Sequence, residues 1–261
     1  MAVSTHHHGH DIGERLYLHR HTPIHQLPAH AKVVALVSFI FIVVATPSDQ
    51  YWAFGVYFGI LVVVAYMARI PARIIAPRML VEVPFVIFAV LMPFFGPEPY
   101  VDVWGVSLSE PGLVSAWGIL AKGTIGVFGS VLLAATTPAR DLVLGLERLR
   151  VPSLLVQIAS FMLRYIHVVS AEMHRMRVAR ESRGFEAKGP RAWPTLAHSV
   201  GALFIRSYER GERVHLAMLS RGYTGRMPLT TPPATHADWW RAASLPGVGL
   251  IVCLTAWMVQ S

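Results

Sequence analysis

The chain has 261 residues, 54% of them hydrophobic and only 15% charged, with a mean hydropathy of +0.47 and a formal net charge of +8. Soluble domains carry roughly 25% charged residues, so this composition excludes both a disordered chain and an ordinary soluble enzyme. The one cysteine, Cys253, excludes an intrachain disulfide and any cysteine-based zinc or iron–sulfur site. What remains is a polytopic membrane protein with a basic surface turned toward something acidic.

The first thirty residues are polar and rich in histidine, with no short apolar stretch leading into a small-residue cleavage site. Neutral imidazoles are good ligands for Co(II), Ni(II) or Zn(II), so the histidines from His6 to His30 read as a metal-gathering arm or as a solvated tail. The first apolar run is Val33–Thr46. It suffices to cross a bilayer if the helix starts near Ala29 and Lys32 snorkels to the interface. Trp52–Ala68 follows without a charge. Val83–Gly96 is a third run, interrupted by Pro84 and Pro93, with Glu82 at its mouth. Gly112–Thr137 is the longest and holds one charge, Lys122. Ala242–Gln260 is the last, behind the interfacial anchor Trp239-Trp240-Arg241. Five spans are expected.

Loop charges orient them. Pro47–Gln50 and Gly96–Pro111 contain no Lys or Arg, whereas Arg69, Arg73 and Arg78 fill one loop and Arg15, Arg20 and Lys32 the amino-terminal arm. The positive-inside rule therefore places the amino terminus and the 69–78 loop in the cytoplasm. Lys122, central in the fourth span, is a functional candidate because an intramembrane charge costs a few kcal/mol, and Glu82 is its conceivable partner. Gly123, Gly126 and Gly129 recur every third residue on the same span and suit close approach of another helix.

Residues 139–228 hold 15 of the 23 Lys/Arg and 7 of the 15 Asp/Glu, so the whole excess charge lies in one segment. Leu154, Ile158, Phe161, Tyr165 and Val169 fall on one helical face, with Gln157, Ser160, Arg164 and His167 opposite. This spacing predicts an amphipathic helix over Pro152–Ser170 rather than a sixth span. A second helix is expected over Thr195–Leu219, with an i,i+4 pair between Glu209 and Arg213. Anionic lipid suits such basic faces; RNA does not, because the aromatics follow the apolar sides.

The two helices close alike. Ala179-x-x-Ser182-Arg183-Gly184-Phe185 is repeated 38 residues later as Ala217-x-x-Ser220-Arg221-Gly222-Tyr223. Each could be a plain helix stop, Gly taking the left-handed position and Arg neutralising the helix dipole. Read mechanically, each is a rigid lever with a five-donor fork at its tip, and two of them suit two equivalent receptors. No phosphate-binding loop is present, since Lys122-Gly123-Thr124 has the wrong order. Nor is there an H-E-x-x-H or a nucleophile elbow, so no catalytic residue and no cofactor is expected.

The paired Ser-Arg-Gly tips after four amino-terminal spans resemble the transmembrane T subunit of energy-coupling-factor (ECF) transporters. The stretch Asp11–Lys32, with Thr22-Pro23-Ile24-His25-Gln26-Leu27 ahead of span one, is similar to the cobalt members, the CbiQ type. The resemblance implies an all-α polytopic bundle of the cell inner membrane with long amphipathic cytoplasmic coupling helices beneath it. The apolar runs and the charge distribution themselves divide the chain into a His-rich arm at 1–32, a four-span bundle at 33–137, a basic segment at 138–228 and a last span at 239–260. The resemblance makes the basic segment the carrier of the coupling helices and implies docking on two ABC-type, CbiO-like ATPases, with Arg183 and Arg221 seated in their grooves. The cobalt subgroup implies cobalt as the substrate, captured by a CbiM-like subunit with a small CbiN-like companion, and the present chain would hold no metal. The competing expectation is a self-sufficient permease for a divalent metal, with Lys122, Glu82 and the histidines along its path.

Overall fold

A computed structural model of the chain describes residues 18, 22–97, 99–103, 106–185, 189, 192–225 and 234–260. Most of the His-rich arm, from His6 to His21, lies outside them. The elements are α1 (Pro23–Gln26), α2 (Ala29–Ala45), α3 (Tyr51–Met67), α4 (Ala72–Ile75), a 3-10 stretch (Ala76–Glu82) and α5 (Val83–Phe95). They continue with β1 (Tyr100–Val103), β2 (Val106–Ser109), α6 (Glu110–Thr136), α7 (Ala139–Arg148), α8 (Ser153–Glu181), α9 (Trp193–Leu219) and α10 (His236–Gln260). The strands form one antiparallel hairpin, Tyr100 opposite Ser109. The chain is thus an all-α, polytopic membrane protein. It divides into two units, one comprising Gly13–Gly145 with Thr231–Ser261, the other built around α8 and α9 within Leu146–Thr230.

In the first unit α6 is the central helix. Alpha-helix α2 runs antiparallel to it, Leu36 lying against Gly129 and Ser48 against Gly118. Helix α10 runs beside α2 in the same direction, Gly249 meeting Phe39 and Trp257 Nε1 reaching the Ala45 carbonyl at 3.3 Å. The core is formed by Phe39, Val43, Phe54, Tyr57, Leu61, Ile125, Phe128, Leu132, Val252 and Ala256. Tyr57 is fully buried, and its hydroxyl bonds with Thr46 Oγ1 at 2.8 Å and reaches the Gly249 carbonyl at 3.3 Å. A buried phenol needs such a partner, and here it ties three helices together.

By length and composition four helical segments suffice to cross a membrane: Ala72–Phe95, α6, α8 and His236–Val259. At 17 residues each, α2 and α3 rise only about 26 Å. The third span differs from expectation. It begins at Ala72 rather than at Val83, because the chain stays helical through a 3-10 stretch where Pro77 and Pro84 deprive the α-ladder of donors. Glu82 therefore stands inside a 24-residue segment, not at its mouth. Helix α8 runs further than the sequence periodicity predicts. Its apolar window is long enough to cross, while Glu172, Arg175, Arg177, Arg180 and Glu181 crowd its last turns.

Candidate functional site

The paired tips are built alike, bond for bond. In the first, the Phe185 N–H donates to the Arg180 carbonyl at 3.1 Å and the Gly184 N–H to the Glu181 carbonyl at 3.0 Å. In the second, the Tyr223 N–H donates to the Met218 carbonyl and the Gly222 N–H to the Leu219 carbonyl, both at 3.0 Å. These are two Schellman closures. Gly184 and Gly222 have φ of +77° and +82°, the left-handed position that costs an L-residue about 1–2 kcal/mol. The serines repeat as well: Ser182 Oγ donates to the Ala179 carbonyl and Ser220 Oγ to the Ala217 carbonyl, each at 3.0 Å. Two motif residues thus have a geometric reason: Ser fastens the last turn by its bond to the carbonyl three residues earlier, and Gly reverses the chain.

Arg183 and Arg221 occupy the residue before that reversal, and both are exposed. Among the described residues neither guanidinium is engaged by a hydrogen bond or an ion pair. The last turns differ around them. The first carries an Arg177–Glu181 ion pair at 2.7 Å, whereas the second presents Leu216 and Leu219, 58% and 48% exposed. Both tips can therefore offer a planar fork to an acidic cleft, with charged flanks in one case and an apolar shelf in the other.

Helices α8 and α9 are antiparallel. Glu172 on α8 accepts from Arg206 on α9 and from its own neighbour Arg175. Fifteen residues earlier on α8, Gln157 accepts from Tyr223. Between these ties an open groove of about 750 Å³ separates the two apolar stripes, with Ile158, Phe161 and Tyr165 on one wall and Leu203, Val214 and Met218 on the other. From Gln157 to Arg183 the helix rises about 39 Å, so the two tips stand on the order of 35–40 Å apart, at opposite ends of the pair. The expected Glu209–Arg213 pair is not among the ion pairs of the described residues.

The membrane charges do not converge. Lys122 Nζ donates to the Val44 carbonyl at 3.0 Å and lies 5.9 Å from the Phe54 ring, whereas Glu82 accepts from Thr124 Oγ1. Residues 122 and 124 are about 200° apart around α6, which is why the two charges meet different neighbours. Lys122 also stands level with the end of a 17-residue helix, so it belongs at the boundary of the α2–α3 pair rather than at its centre. Gly123 and Gly129 of the glycine stripe do face neighbours, Glu82 and Leu36 respectively, while Gly126 meets nothing within 4 Å.

Lys32 is the residue that periodicity misses. Rather than snorkelling, it is buried at 8% exposure and donates to the carbonyls of Thr136 (3.0 Å) and His25 (3.3 Å) and to Thr137 Oγ1 (3.2 Å). It closes the carboxyl end of α6, where unpaired carbonyls and the negative end of the dipole both favour a cation. Two histidines expected in the arm are likewise packed. His25 bonds Thr22 Oγ1 through Nδ1 at 2.7 Å, and His30 is buried with its ring 5.9 Å from Trp239. Among the described residues no group of three His, Cys, Asp or Glu side chains is arranged to hold a metal ion.

The sequence matches the family model described as CbiQ, cobalt transport protein, over residues 20–232. It is 31% identical over 192 residues to the cobalt transport protein CbiQ of Rhodobacter capsulatus, covering 72% of this chain and 73% of that protein. It is 23% identical to the energy-coupling factor transporter transmembrane protein EcfT of Listeria innocua, over 81% of this chain and 86% of that one. A putative fused cobalt transport protein CbiMQ of Methanocorpusculum labreanum is 26% identical, over 80% of this chain and 36% of its own length. These likenesses run through both the bundle and the α8–α9 pair, and they make the molecule a multi-pass membrane component of a cobalt- or ECF-type transporter. The chain belongs to the CbiQ family of cobalt transport proteins.

Proposed function

We propose that this chain is the coupling subunit of an ECF-type importer for cobalt, with Arg183 and Arg221 seated in grooves on two ABC-type ATPase subunits. The observation that carries this reading is the bond-for-bond identity of the two exposed tips at opposite ends of one antiparallel pair. A helix stop needs the glycine, but it does not need an unengaged arginine in front of it twice. Glu82 and Lys122 are tied to separate helices, which argues against the permease reading that would bring them onto one path. In this proposal α8 and α9 lie on the cytoplasmic side, the 69–78 loop faces the same side, and cobalt is captured by a separate CbiM-like membrane subunit. The fused CbiMQ relative supports that partnership, because its name joins the two parts in one chain.

The test is co-expression with the neighbouring ATPase and membrane subunits, comparing wild type with the double variant Arg183→Ala, Arg221→Ala. Each lost charge-assisted fork contributes roughly 1.5–3 kcal/mol, so the pair should lower ATPase recovery by more than about a hundred-fold. Unchanged recovery and unchanged cobalt uptake would reduce the tips to helix stops and bring the permease forward.

A further inference from the structure

The two tips share a backbone but, among the described residues, not an anchorage. Along α8 only Val156 and Gln157 are buried, and Gln157 is 8% exposed. Both ends of its amide are used by the segment that follows the second tip. Its Nε2 donates to the Gly225 carbonyl at 3.0 Å, and its Oε1 accepts from the Tyr223 hydroxyl. The Tyr223 ring in turn stands edge-on to His215 of α9 at 6.4 Å. Gly225 has φ of +88°, so the chain turns back toward α8 through a conformation that an L-residue resists. The corresponding residue of the first tip is Phe185. It has the same place in the Schellman closure, but no hydroxyl with which to make such a bond.

From this geometry we infer that Gln157 and Tyr223 are positioning residues that clamp the second tip to the beginning of α8, making it the rigid lever of the pair and leaving the first tip the compliant one. The inference rests on the coupling reading above. A tip held only by its own helix can pivot when its receptor moves, so part of the displacement is lost in bending. A tip clamped to a second helix moves that helix with it. A buried amide with both ends satisfied is well suited to the task, because partial rupture leaves an unpaired polar group and is therefore resisted. The two receptors would thus deliver movement to the chain unequally, although each grips an arginine at the same motif position.

The experiment uses the full co-expressed transporter carrying Tyr223→Phe, which removes one oxygen, and separately Gln157→Leu, which keeps the side-chain size. Two readouts are taken: cobalt uptake per ATP hydrolysed, and the distance distribution between spin labels at Ser153→Cys and Thr224→Cys in a Cys253→Ser background. Both variants should keep full ATPase recovery, lower uptake per ATP by at least about three-fold and broaden the distance distribution. Phe185→Tyr at the first tip should change neither readout. If Tyr223→Phe leaves the ratio or the distribution unchanged, the clamp is overturned while the coupling reading stands on its own arginine variants. If Tyr223→Phe loses ATPase recovery, Tyr223 is a receptor contact and the positioning role is also overturned. Failure of the coupling reading shows separately, as full recovery in the double arginine variant.

Discussion

Lys32 and Lys122 do the same chemistry at opposite ends of two antiparallel helices. One donates to the last carbonyls of α6, the other to the Val44 carbonyl near the end of α2. Away from water each unsatisfied carbonyl is costly, so a long side chain from the neighbouring helix substitutes for the missing turn. Lys32→Met would keep the stem and delete three bonds to neutral acceptors. It should destabilise the detergent-purified protein by about 1–3 kcal/mol, read as a lower melting temperature. Neither role is visible in the sequence, where Lys32 looks like an interfacial residue and Lys122 like a buried functional charge. Both assignments need the register of α2 against α6, which sequence spacing does not contain. Glu82 is displaced from its expected place for a related reason, since prolines that mark a helix boundary in many chains here only convert it to 3-10 geometry.

At the scale of elements, the apolar runs and the repeated tips are legible because each is dictated locally. Hydropathy fixes the former, and glycine's freedom at positive φ fixes the latter. The end of α8 follows the same logic, the Ser-Arg-Gly stop being a stronger signal than fading amphipathicity near Ser170. Contacts between elements are not legible in this way. Spacing places Gln157 on a polar stripe, yet its partner Tyr223 lies 66 residues away. The glycine stripe on α6 shows the same limit, because closeness is decided by what stands opposite. A Cβ on Gly112 would lie 2.9 Å from the Pro93 backbone, whereas one on Gly126 meets nothing within 4 Å. Gly112→Ala should therefore cost about 1–3 kcal/mol through overpacking of α5 on α6. Gly126→Ala should be neutral or gain up to about 1 kcal/mol from helix propensity. Parallel thermal denaturation of the two variants separates the outcomes.

At the scale of the molecule, the excess basic charge lies in residues 139–228, while Lys32, Glu82 and Lys122 of the bundle unit are each tied to a separate partner. That division fits a transporter component whose cargo passes elsewhere. Helix α9, 27 unbroken residues from Trp193 to Leu219, also has a consequence for the aim of the second fork. Along a continuous helix, position and direction are locked together, each residue adding about 1.5 Å of length and about 100° of rotation. One alanine inserted after Gly211 would scarcely lengthen the span between the tips but would swing Arg221 a quarter-turn away from the receptor proposed for it. Seven inserted residues would restore the aim while displacing the fork by about 10 Å. Recovery of the ATPase pair should already fail with the single insertion, so that the helix is read as a protractor before it is read as a ruler.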